Sequence, residues 1–201
     1  MEVSREDIQA IRQALELARE EFCIKKNDIT NVNRVIFRDA LGCFSMIGKE
    51  KLYELVEEVK SFLSCCDFGL RESAVVTLGL SSRLHLPEFR ETVYKIWLED
   101  KDDYVKEAAL RSWISYYDNS QNVKVLKTLY SILTNENYTV DARMDALEGI
   151  FSVSGEEPTF YVLYSSYFFD ITTHEEIKDR IDWDKVNNLM KKYAPEALSQ
   201  N

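Results

Sequence analysis

The chain has 201 residues, of which 45% are hydrophobic and 30% are charged, and its formal net charge is −10 at pH 7. This composition is typical of a folded globular protein. The acidic excess argues against proteins that bind nucleic-acid phosphates or anionic membranes. With 6 glycines and 3 prolines, the chain has little turn material, which disfavours an all-β fold and a glycine-rich phosphate loop.

The amino-terminal sequence predicts neither export nor membrane insertion. Residues 1–21 carry charges throughout and lack the apolar segment of a signal peptide. The most apolar stretch, residues 160–169, is far shorter than the roughly 20 residues that a membrane helix needs. We therefore expect a cytoplasmic protein without a transmembrane span.

The first predicted element is a helix over residues 4–22. Apolar residues recur there at steps of three and four, as on one face of an amphipathic helix. Ser4 and Asp7 resemble a capping box, which favours a helix start at this point.

A repeat of about 35 residues runs through the middle of the chain. Four segments, which begin at Ile36, Leu70, Val105 and Ala142, align so that an alanine recurs in each. The aligned columns are Ala40, Ala74, Ala109 and Ala146; then Leu41, Val75, Leu110 and Leu147; then Phe44, Leu78, Trp113 and Ile150. Because these columns fall on one helical face, they predict a buried face on which alanine permits close approach of a neighbouring helix.

Helices with the same period are predicted between the four segments, so each repeat consists of two helices and the chain has about ten in all. Pro87 and Pro158 are predicted to be the first residues of helices, a position at which proline is tolerated. The predicted caps are Ser120 and Thr139 at helix starts and Gly48 and Gly155 at helix ends. A last helix is predicted after Asp182, ending at Ala194-Pro195.

In three of the four repeats, the second helix follows a turn with an Asp or Asn and carries a basic residue directly after the column-opening residue. The matching residues are Asp67 with Leu70-Arg71, Asp100 and Asp102 with Val105-Lys106, and Asn137 with Ala142-Arg143. In these features the sequence resembles the HEAT-repeat family, in the short form called PBS-lyase HEAT-like repeats. Cys65 and Phe37 stand where that family often has Asp and Arg, so the resemblance implies only a partial Asp–Arg ladder.

The resemblance implies an all-α, right-handed α–α superhelix of about four to five helix pairs, with the second helix of each pair lining a concave surface. We expect a single domain over residues 1–201. Residues 1–30 would form an amino-terminal cap, residues 31–155 the core repeats, and residues 156–201 the carboxy-terminal capping helices.

The concave surface supplies the candidate binding residues. Positions two, three and six places after each column-opening residue are expected to face solvent or a partner. The candidates are Arg38, Asp39, Glu72, Glu107, Arg111, Asp145 and Glu148, joined by Tyr117 as the outward member of the Tyr116-Tyr117 pair. Their acidic majority predicts a basic protein partner. The alternative is that they are ordinary solvated helix faces.

The reactive residue types do not form a catalytic or metal-binding pattern. Cys23, Cys43, Cys65 and Cys66 lack CxxC spacing and lie far in sequence from His85 and His174, so we predict buried thiols rather than a zinc site. A redox role for Cys65-Cys66 stays open. The acidic run at residues 99–103 lacks the glycine of a calcium loop and fits a capped turn. We predict no catalytic residue, cofactor or metal.

The aromatic residues are expected mainly in the core. Trp97 and Trp113 occupy apolar columns, and the aromatic run at residues 160–169 is predicted to pack under the segment from Asp182. The alternative for that run is an exposed binding patch.

The sequence favours a non-catalytic protein-interaction module with an acidic concave surface. A bacterial immunity protein that neutralises a basic toxin domain is one form of such a module. The alternative is an enzyme on a HEAT-like scaffold, either DNA glycosylase-like or chromophore lyase-like. An acidic groove disfavours the first of these enzymes, because it would repel phosphates. The second rests only on the adjacent cysteines Cys65 and Cys66.

Overall fold

A computed structural model describes residues 4–30, 33–47, 49–81, 87–156 and 172–200. Every regular element within these ranges is helical, which confirms the predicted all-α class. The chain divides into two compact units, residues 1–116 and residues 117–201. None of the helices in the described ranges has the length and apolar character that crossing a membrane requires.

The first unit contains helices α1 to α6. Their bounds are Arg5–Ala18, Arg34–Met46, Lys49–Lys60, Phe68–Val76, Pro87–Glu99 and Asp103–Ser115. Three of them continue in a different winding: α1 into a π-helical segment at Arg19–Ile24, α3 into a 3₁₀ turn at Ser61–Ser64, and α4 into a π-helical segment at Thr77–Ser81.

Each helix of the first unit contacts at least one other helix of the same unit. α1 contacts both α2 and α3, whereas α2 contacts α4, and α4 contacts α6. The predicted alanine column lies in this packing, since Ala40, Ala74 and Ala109 are all 0% exposed. The close approach of the π-helical segment Thr77–Ser81 to α6 also requires a glycine at position 79, because a Cβ atom there would lie 2.3 Å from the Cβ of Ser112.

The second unit contains α7 (Val123–Thr134), α8 (Val140–Ser154), α9 (His174–Arg180), α10 (Trp183–Tyr193) and a 3₁₀ turn at Pro195–Gln200. α7 packs against α8, and α10 contacts both. The repeat columns are again buried here, as shown by Ala146, Leu147 and Ile150.

Most of the predicted helix ends are confirmed. The confirmed starts and stops are Ser4, Pro87, Thr139, Gly155, with φ 73°, and Asp182. Ser120 is wrong as a cap: the Asn122 side chain caps α7 by accepting from the Val125 N–H at 3.2 Å. Gly48, Pro158 and the aromatic run at residues 160–169 lie outside the described residues.

Candidate functional site

Five predicted binding residues lie in the first unit. Arg38 and Asp39 on α2 are exposed and form an ion pair at 3.9 Å. Glu72 on α4 and Arg111 on α6 are half-buried. The fifth, Glu107 on α6, is only 8% exposed, so the expectation that it faces solvent is wrong.

The burial of Glu107 follows from the surroundings of α6. This helix contacts α4, α5 and the π-helical segment Thr77–Ser81, so more than one of its faces is covered. The repeat pattern assumes one packed face for each helix, and it therefore does not predict that Glu107 is buried. The four candidates of the first unit that keep some exposure carry two positive and two negative charges, so this row of positions is not acidic.

Three predicted binding residues lie in the second unit. Tyr117 is half-buried at the start of the unit, and on α8 Asp145 is half-buried while Glu148 is exposed. The two carboxylates lie near the middle of α8, one turn apart.

The cysteines differ from the prediction of buried thiols. Cys23 and Cys65 form a disulfide, because the π-helical segment after α1 lies against the turn before α4 and brings their Cα atoms to 4.5 Å. Cys66 is an exposed thiol, whose Sγ donates to the Phe22 carbonyl at 2.8 Å. Cys43 is half-buried, and burial raises the pKa of its thiol. Spacing in the sequence carries no signal for a pair 42 residues apart.

Arg71 on α4 makes four hydrogen bonds in a buried polar cluster of the first unit. Its guanidinium donates twice to the Asp100 carboxylate, at 3.0 Å each, and also to the carbonyls of Cys65 and Cys66, at 2.8 and 2.9 Å. Burial alone would raise the pKa of Asp100, but hydrogen bonds from Arg71 and from the Asp102 N–H bring it below its ordinary value. The cluster positions the turns that precede α4 and α6.

An exposed aromatic pair lies beside these turns. Phe68 opens α4 and Tyr104 is the second residue of α6; their rings stack at 26° with centroids 6.2 Å apart. They are 47% and 65% exposed. The neighbouring Asp103 side chain is 69% exposed and lies 3.6 Å from the Lys106 ammonium. Both aromatics fall outside the repeat columns, so the pattern did not find them.

A cleft lies between α1 and α3. It has a volume of about 250 Å³ and is lined by Leu15, Glu16, Arg19, Glu57, Glu58, Ser61 and Phe62. Its polar lining therefore contains three carboxylates and one guanidinium. Leu15 and Phe62 are buried at 1% and 0% exposure and form its apolar part.

Within the described ranges, no group of three or more His, Cys, Asp or Glu side chains is arranged to hold a metal ion. No protein-family model, curated protein or solved structure matches this chain.

Proposed function

We propose that the chain is a non-catalytic protein-interaction module whose first unit binds a basic protein partner. The observation that carries the proposal is the stacked pair of Phe68 and Tyr104, which lies on the surface of this unit. Exposed aromatic side chains are costly in water and are enriched at protein interfaces, where burial of their large apolar area supplies much of the affinity.

The charges around the pair fit a basic partner. Asp67 precedes Phe68, and Asp102 and Asp103 precede Tyr104. A lysine or arginine side chain that lies on an aromatic face beside a carboxylate gains both a cation–π contact and an ion pair. The net charge of −10 would also accelerate the encounter with a positively charged protein.

The proposed architecture is the right-handed superhelix of HEAT-like helix pairs. It is supported by the buried alanine column and by the row in which α2 contacts α4 and α4 contacts α6. Neutralisation of a basic toxin domain by an immunity protein is the form of this function that we propose first, because it needs a small acidic module. Asp39 and Glu72, the two predicted carboxylates of the first unit that keep some exposure, would add to the attraction for a basic partner.

A pull-down from host lysate at low salt, followed by mass spectrometry, would identify the partner, and calorimetry would then compare variants. We expect Phe68→Ala with Tyr104→Ala to weaken binding by about 2 kcal/mol, roughly thirtyfold, as for truncated hot-spot residues. The matched control is Tyr53→Ala on α3, since Tyr53 is 62% exposed and should change affinity less than about twofold.

Two outcomes would contradict the proposal: full affinity in the double alanine variant, or a partner without a basic surface. Circular dichroism checks that the variants remain helical. The variant Asp39→Lys with Glu72→Lys separately tests the binding residues that the sequence predicts in the first unit. Glu107 is left out of that variant because a lysine at this buried position would destabilise the unit.

A further inference from the structure

Three cysteines of the first unit lie together where the π-helical segment after α1 meets the turn before α4. Cys23 and Cys65 are joined by a disulfide, with their Cα atoms 4.5 Å apart. Cys66 is the next residue and keeps an exposed free thiol. Its Sγ donates to the Phe22 carbonyl at 2.8 Å, and this carbonyl belongs to the peptide bond that joins Phe22 to Cys23. The disulfide and the free thiol therefore contact the same short segment.

The three cysteines differ in how readily a molecule in solution reaches them. Cys65 is 2% exposed, Cys23 is half-buried and Cys66 is exposed. Thiol–disulfide exchange requires direct attack of one sulfur on another, so its rate depends on access. A thiol or disulfide in solution therefore meets Cys66 first, whereas Cys65 is more readily reached by a sulfur of the same chain.

Hydrogen bonds fix the adjacent cysteines beside Cys23. The guanidinium of Arg71 donates to the carbonyls of Cys65 and Cys66, at 2.8 and 2.9 Å, and is itself held by the Asp100 carboxylate. Reactive groups that are held close together react with a high effective concentration. Both sulfurs of the pair are thus positioned to exchange for one partner, Cys23.

We propose that Cys66 is the exchange thiol through which a low-molecular-weight thiol and its disulfide make and break the Cys23–Cys65 bond. In oxidation, the Cys66 thiolate of the reduced chain attacks the external disulfide, which forms a mixed disulfide at Cys66 and releases one external thiolate. The Cys23 thiolate then attacks Sγ of Cys66, which forms a Cys23–Cys66 bond and releases the second external thiolate.

The last step transfers the bond to the buried cysteine. The Cys65 thiolate attacks Sγ of Cys23, which forms the Cys23–Cys65 disulfide and returns Cys66 as a thiolate. Each thiolate exchanges its proton with water, and two electrons pass in total from the cysteines to the external disulfide. Reduction runs through the same steps in reverse. The end state of oxidation is the observed one, with Cys66 free and exposed beside the disulfide.

The oxidation kinetics of the reduced full chain test this relay. The chain is freed of reductant without oxygen and mixed with oxidised glutathione at about pH 8, where exposed thiols ionise appreciably. Acid quenching, alkylation and peptide mass spectrometry then give the amount of each disulfide against time. We expect Cys66→Ser to form the Cys23–Cys65 bond about tenfold more slowly or less, because the accessible nucleophile is lost. Serine keeps a donor for the Phe22 carbonyl, and circular dichroism checks that the reduced variant is helical.

A second variant stops the relay before its last step. In Cys65→Ser the bond cannot pass on from Cys66, so we expect a Cys23–Cys66 disulfide to accumulate. The matched control is Cys43→Ser, which removes the other free thiol. Burial raises the pKa of that thiol and makes it a poor nucleophile, so the oxidation rate should change less than about twofold.

Two results would overturn the proposal. One is an equal rate of Cys23–Cys65 formation in Cys66→Ser and the unaltered chain, and the other is Cys65→Ser without a Cys23–Cys66 bond. The proposal does not rest on the proposed function, because exchange needs no protein partner. Oxidation at the ordinary rate in Phe68→Ala with Tyr104→Ala would separate this site from the proposed interface.

Discussion

The two units bury an arginine at the same helix position but satisfy it with different partners. Arg71 lies four residues after Asp67, the N-cap of α4, and Arg143 lies four residues after Thr139, the N-cap of α8. Both are almost fully buried, at 4% and 2% exposure. Both units thus bury an arginine four residues after the N-cap, whereas the groups that accept its hydrogen bonds differ from one unit to the other.

The partners differ in charge. Arg71 meets the carboxylate of Asp100 with two hydrogen bonds. Arg143 donates from Nε to the Leu133 carbonyl at 2.8 Å, and its Nη1 lies 2.7 Å from Nδ1 of His174. Burial accordingly lowers the pKa of Arg143, with the nearby Glu136 charge acting in the opposite direction.

This difference determines what a substitution leaves behind. Removal of Arg71 leaves a carboxylate in a largely buried place without its cation, which is costly. Removal of Arg143 leaves neutral acceptors, which cost less when they lose a donor. The first unit therefore depends more strongly on its arginine than the second.

The largest expected effect is that of Arg71→Met. We expect it to lower the free energy of unfolding of the first unit by about 3–5 kcal/mol, as for a broken buried ion pair. Trp97 and Trp113 are both buried in this unit, so their fluorescence during urea unfolding reports the change.

The control for Arg71→Met removes the stranded charge. Arg71→Met with Asp100→Leu should recover part of the lost stability, because the unpaired carboxylate is removed whereas the carbonyls of Cys65 and Cys66 still lack their donor. If the single variant lost less than about 1 kcal/mol, the buried pair would not be the main support of this region.

The second prediction concerns the stability of the first unit at low pH. The pKa of Asp100 is lowered in the folded state, so its contribution is complete above the ordinary aspartate pKa of about 3.9 and is lost as pH falls through the folded value. We expect the stability of the first unit to fall below about pH 4. In Asp100→Asn this dependence should be weaker, measured by urea midpoints at successive pH values. An unchanged acid profile in that variant would assign the dependence to other carboxylates.

The sequence predicted the buried faces well because helical periodicity is a local property. Ala40, Ala74, Ala109 and Ala146 follow from spacing alone, and all four are 0% exposed. Thr139 and Gly155 follow from cap chemistry. Such features depend on residues within a few positions of one another, so one sequence suffices to find them.

The candidate sites depend on contacts that spacing does not encode. Glu107 is buried because three elements contact α6. Cys23 meets Cys65 because the π-helical segment after α1 packs against the chain segment that precedes α4. Phe68 and Tyr104 meet because α4 and α6 are neighbours. A signal was nevertheless present for the last pair, since each aromatic closely follows an N-cap aspartate.

The third prediction tests the second unit. Arg143→Met should lower the free energy of unfolding of that unit by about 1–2 kcal/mol, since it strands the Leu133 carbonyl but no carboxylate. Trp183, at the start of α10, reports this unit, whereas the buried Trp97 and Trp113 report the first. A loss as large as that of Arg71→Met would mean that Arg143 neutralises a charge such as that of Glu136.

The smallest expected effect is that of His174→Ala. A guanidinium only donates, so Nδ1 of His174 accepts from Arg143. The variant removes this acceptor and leaves the Arg143 bond to Leu133 in place. We expect a loss of about 1 kcal/mol, the net value of one hydrogen bond. His174→Asn, whose side-chain oxygen also accepts, should recover part of it.

The His174 variants need a control on the same helix and a test of coupling. Glu175→Ala lies on α9 at an exposed position and should change stability less than about 0.5 kcal/mol. A double-mutant cycle between Arg143→Met and His174→Ala should give a coupling energy of about 0.5 kcal/mol or more if the two side chains stabilise each other. Additive losses would mean that His174 supports α9 independently of the buried arginine, and the two units would then differ in more than the partner at this helix position.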